Sequence, residues 1–144
     1  MRLGQQNIEV DALALMPYFN SARFVARTTP LVSTSWDGDA RSTTAKTLID
    51  LSAVFGVPAG IKGVLLYVAI RDSGSAATDT YLILGPNSTA NSGMGFSCLT
   101  VNDRWARYGG VTIPCSTDGD IYYQIAASGA STFDVLMEVW GYWQ

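Results

Sequence analysis

The apolar residues of this chain fall in short runs set off by glycine, serine and threonine, and no long run keeps helical spacing. From residue 31 onward the runs alternate in and out with period two, the signature of strands between turns. The clearest is residues 63–71. There Val64, Leu66, Val68 and Ile70 share one face, and Leu65, Tyr67 and Ala69 the other. Both faces are apolar, which predicts a central strand or one covered on both sides. In residues 132–143, Phe133, Val135, Met137 and Val139 share one face, and Leu136, Glu138, Trp140 and Tyr142 the other. Shorter strands are expected at 81–84, 94–101, 104–108, 111–115 and 121–127. Asn102-Asp103 and Gly109-Gly110 are read as turns, and Pro114 as an edge or strand end. About seven or eight strands with no long helix predict an all-β fold, an antiparallel β-sandwich and within that class a jelly roll.

The first thirty residues read differently. They hold one glycine, a possible two-turn helix at 10–16 stopped by Pro17, and an aromatic and basic stretch at 18–27. We read residues 1–30 as an irregular N-terminal arm that docks on a neighbour, and 31–144 as the β-sandwich domain. The alternative for this segment is a lead-in loop and edge strand of the same domain.

Composition narrows function. The chain has 144 residues, enough for one domain with its own core. Hydrophobic residues are 48% and charged residues 15%, well under the usual quarter. A surface that poor in charge is expected to be hidden in part against copies of itself. No histidine is present, which excludes His-based nucleophilic sites and His-ligated metal centres. A net charge of −3 and a pI near 4.6 argue against a nucleic-acid partner. No run approaches the ~20 apolar residues of a membrane helix, and no secretion signal is read, so assembly in a cytosol is expected.

Specific chemistry is sparse. Cys98 and Cys115 match no zinc or redox spacing and are read as buried thiols, with a cross-strand disulfide as the alternative. The triplets Asp37-Gly38-Asp39 and Asp118-Gly119-Asp120 are read as tight turns, since neither continues into a calcium loop. Glu9 and Glu138 are the only glutamates, and nothing pairs carboxylates into an acid and a base. The chain is therefore expected to be no enzyme and to need no cofactor. Arg104 and Arg107 flank Trp105 and are expected to pair with an aspartate or stack on a ring.

Aromatic side chains cluster at Trp105, Tyr108, Tyr122, Tyr123, Trp140, Tyr142 and Trp143. Crowding on the last strand favours burial against another subunit; a flat glycan-binding platform is the alternative. Phe19, Arg23, Phe24 and Arg27 of the arm, with Trp140, Tyr142 and Trp143, are the expected oligomer or shell contacts.

Two stretches carry a resemblance. Residues 28–51 run Thr-Thr-Pro-Leu-Val-Ser-Thr-Ser-Trp-Asp-Gly-Asp-Ala-Arg-Ser-Thr-Thr-Ala-Lys-Thr-Leu-Ile-Asp-Leu. Residues 55–66 place Val57-Pro58-Ala59-Gly60-Ile61-Lys62 before a long apolar strand, with Arg71-Asp72-Ser73-Gly74-Ser75 after it. This phrasing resembles small virion structural proteins of tailed bacteriophages, both capsid decoration (cement) proteins and tail-fibre modules. The resemblance covers residues 28–75 and implies a β-sandwich, often trimeric, located in the virion. It assigns no functional residue. The expected function is shell decoration through self-contacts and an arm on the major capsid protein. The alternative is a tail-fibre, head-fibre or baseplate module that binds a host glycan.

Overall fold

The computed structural model describes residues 22–33, 36, 45–75 and 79–144. Its elements in order are β1 (Phe24–Val32), β2 (Thr47–Ile49), α1 (Leu51–Phe55), β3 (Gly63–Asp72), β4 (Tyr81–Gly85), β5 (Met94–Ser97), β6 (Ala106–Pro114), β7 (Ile121–Ala126) and β8 (Phe133–Trp143). The fold is all-β and sandwich-like, with two four-stranded sheets ordered β1-β8-β3-β6 and β2-β7-β4-β5. All pairings are antiparallel: β1 with β8, β2 with β7, β3 with β6, β4 with β5, and β8–β3 and β7–β4 joining these pairs into sheets.

The alternation read in the sequence decides which faces meet. Val64, Leu66, Val68 and Ile70 of β3 point inward and are essentially fully buried. Leu82 and Leu84 of β4, and Ile121, Tyr123 and Ile125 of β7, do the same from the second sheet. Each such side chain contributes about 1.5–3 kcal/mol by leaving water. β3 lies between β8 and β6, which is why its outward residues are apolar as well.

Three departures from the sequence reading sit at one level of the first sheet. Leu65 pairs with Gly141 and Leu66 with Val139, so Trp140 is an extra residue on β8. This bulge reverses the phase of the strand. Tyr142, expected on the face of Glu138 and Trp140, instead points into the core and is 8% exposed. Gly109-Gly110 is no turn. Both residues lie opposite Tyr67 inside a continuous β6, and Gly110 takes φ +69°, the left-handed conformation that lets the strand absorb a residue and continue. On β1, four residues separate Ala26 from Leu31 where β8 has only Trp140.

β1 also crosses the boundary expected at residue 30. Residues 24–32 form an edge strand on β8, with Val25 and Leu31 packed on the core, so this part of the presumed arm belongs to the sheet. Residues 1–21, including the possible helix at 10–16 and Phe19, lie outside the described residues, as does the triplet 37–39.

The short helix α1 was not anticipated, although its caps are legible. Asp50 accepts from the Ala53 N–H at 2.9 Å, and Gly56 closes the helix at φ +72° with its N–H on the Ser52 carbonyl. Leu51 and Phe55 drop into the core.

Candidate functional site

The outward face of the first sheet carries exposed apolar side chains, Phe24, Leu136 and Trp140 among them. Its strand rows run across β6, β3, β8 and β1. At one end Pro114, Gly63, Trp143 and Phe24 lie side by side. The Phe24 and Trp143 rings meet at 4.7 Å, tilted by 44°. Gly141 makes this possible, because a Cβ there would fall 2.5 Å from the Phe24 ring. Phe24 remains 41% exposed and Trp140 38% exposed. Trp140 Nε1 donates to Glu138 Oε2 at 2.9 Å, which places both on the outer face.

The expected contact residues therefore divide. Phe24, Trp140 and Trp143 come together on one open face. Arg23 and Arg27 are exposed beside it, and the Arg23 backbone pairs with Gln144 in both directions. Tyr142 belongs to the hydrophobic core.

At the other end of this face the surface turns polar and aromatic. Arg71, at the end of β3, is held by Asp103 at 2.9 Å and by Asp134 on β8. Its guanidinium lies 4.8 Å from the centre of the Trp105 ring. Arg104 and Arg107 are expected to pair with an aspartate or stack on a ring; the guanidinium over Trp105 is that of Arg71, from another strand. Sequence distance concealed it, since 34 positions separate residues 71 and 105. Tyr67, Leu136, Glu138 and Arg107 continue the same face.

A buried carboxylate positions these loops. Asp72, next to Arg71, is 1% exposed. It accepts from the Gly74 and Ser128 N–H groups at 2.8 Å each, from Thr132 Oγ1 at 3.2 Å and from the Ser128 hydroxyl. Its carbonyl accepts from the Asp103 N–H at 3.0 Å. Burial pushes the Asp72 carboxyl up; the bonds from Ser128, Gly74 and Thr132 more than offset that and hold it below the usual carboxylate range.

No family model matches the chain, and no curated protein is similar to it.

On the second sheet a loop covers Gln124 and Lys46, while Leu48 and Met94 stay exposed. The Asn91 N–H donates to Gln124 Oε1 at 2.9 Å, and Gln124 Nε2 donates to Asn91 Oδ1 at 3.1 Å. Lys46 is buried there with its ammonium on the Ser92 carbonyl, and burial lowers its pKa. The first sheet shows no such cover among the described residues.

The remaining candidates have structural roles. Asp118-Gly119-Asp120 forms a turn with Gly119 at φ +92°; its Asp118 carbonyl accepts from the Gly60 N–H, and Asp120 Oδ1 accepts from the Leu51 N–H. Cys98 and Cys115 are free thiols. Burial pushes them up, to about 11 and about 12. Tyr108 donates its hydroxyl to the Ser97 carbonyl and sets its ring edge-on to Phe96. Among the described residues no group of three or more Cys, Asp or Glu is placed to hold a metal ion.

Proposed function

We propose that the chain is a phage virion structural protein, a capsid decoration protein that self-associates as a trimer and stabilises the shell through contacts of its outer sheet face and N-terminal segment. The single observation that carries the contact role is the open aromatic corner of Phe24, Trp140 and Trp143. Apolar surface of this kind on a sheet edge is an aggregation hazard unless a partner covers it. The first described residues enter the sheet at this same corner, where Ala22, Lys62, Gly63, Thr112, Pro114 and Trp143 line a shallow cleft. The virion assignment and the three copies rest on the resemblance of residues 28–75.

The jelly-roll reading has support in the pairing. Strands one with eight, two with seven, three with six and four with five form one long antiparallel ribbon, and rolling that ribbon up gives the observed sheet orders.

Two measurements test the proposal. Light scattering of the full chain should give a trimer, which Phe24→Ala with Trp140→Ala weakens and removal of residues 2–21 leaves folded. Quantitative mass spectrometry of purified particles should then give a copy number in simple ratio to the major capsid protein. A monomer at tens of micromolar, or a few copies per particle, overturns the decoration role.

A further inference from the structure

Two adjoining clefts, of about 330 and about 300 Å3, share Trp105, Leu136 and Glu138 and form one groove: the smaller lies on the first sheet's outer face, and the larger passes over the edge of β8 beyond Val32 to reach Phe55, Val135 and Met137. Tyr67 and Arg107 line one cleft; Arg71, Asp134 and Trp36 line the other. The groove lies several strand rows from the Phe24–Trp143 pair, and Trp140, bonded to Glu138, stands between the two.

We propose that this groove binds a short, neutral oligosaccharide. Three features select that ligand. First, its central ring is already set. Trp105 is stacked under Arg71, and Arg71 is clamped between Asp103 and Asp134. A ring held in place loses little freedom when a sugar's C–H face stacks on it, so the ordering cost of binding is low.

Second, polar groups flank that ring. Arg107 is exposed and forms no ion pair among the described residues. Glu138 uses Oε2 for Trp140, and its other oxygen has no partner among the described residues. A guanidinium donates to sugar oxygens and a carboxylate accepts from vicinal hydroxyls.

Third, the charges are mixed. Arg71 and Arg107 face Asp103, Asp134 and Glu138, a balance that gives a polyanion no net attraction. The floor of the groove is the face of β3, whose backbone groups are taken on both sides by β6 and β8.

This binding role goes beyond shell decoration and stands without it. The test uses the full chain. A printed array of neutral oligosaccharides, with sialylated and phosphorylated glycans on the same slide, identifies retained sugars. Titration of the best tetrasaccharide is then followed through the Trp105 indole N–H resonance. Binding by a neutral sugar is expected to move that resonance, and Arg107→Ala and Glu138→Gln should each weaken affinity at least tenfold. Both side chains sit at the surface, so the fold survives, and Phe24→Ala should leave affinity unchanged. Retention of no neutral glycan, retention of charged glycans only, or binding indifferent to both variants overturns the proposal.

Discussion

Replacing Asp72 by asparagine removes one charge from a buried knot and changes almost no volume. The carboxylate accepts four hydrogen bonds, two on each oxygen: Gly74 N–H and the Ser128 hydroxyl on one, Ser128 N–H and Thr132 Oγ1 on the other. An amide oxygen can keep the first pair. The amide NH2 must then face the second pair, both of them donors. Thr132 can reorient its hydroxyl, because it also bonds within the 129–132 turn. The Ser128 N–H cannot, and is left buried without an acceptor. A hydrogen bond to a charged group contributes about 1.5–3 kcal/mol, and an orphaned buried donor costs about 1–3 kcal/mol. The expected loss is about 3–5 kcal/mol, a large part of the stability of a domain this size. With a urea slope of about 2 kcal/mol/M, the midpoint falls by about 2 M at unchanged slope.

The sign of the pH dependence follows from the depressed Asp72 pKa. Its stabilisation is fully present above the unfolded carboxylate value, ~3.9, and is lost as pH falls through the lower folded value. The gap between wild type and variant, followed by tryptophan fluorescence in urea, should be constant from pH 5 to 7 and close in acid. A gap below about 1 kcal/mol, or one that persists unchanged in acid, would refute the charge-based account and leave packing as the cause.

Gly141→Ala should push the Phe24 ring off Trp143, because the new Cβ lies 2.5 Å from the ring and 3.0 Å from the Val25 carbonyl. The expected cost is about 1–3 kcal/mol with a changed near-ultraviolet circular dichroism spectrum, and an unaltered spectrum would contradict the packing described. Cys98 and Cys115, with burial holding them at about 11 and about 12, should resist disulfide-exchange reagents at pH 8 until the protein is unfolded. Complete labelling of the native protein within minutes would mean that both thiols are accessible.

Period-two alternation is a local property, so the sequence alone determined the all-β class, the inward sets of β3 and β7, and the turn at Asp118-Gly119-Asp120. Composition likewise excluded histidine chemistry and disfavoured a nucleic-acid partner. A bulge is different, because it is a relation between two strands and leaves no mark in either one. Trp140 is an extra residue only against Leu65 and Leu66, and that pairing alone turns Tyr142 inward and Trp143 outward. Gly109-Gly110 reads locally as a turn, yet pairing with β3 on both sides of Tyr67 holds it within a strand. The edge strand at 24–32 has an irregular pattern of its own, and β8 supplies the order it lacks. The groove was least legible of all. Trp105 is held by Arg71, Arg71 by Asp103 and Asp134, and these residues share a site only because β3, β8 and the 99–105 loop are joined around the buried Asp72.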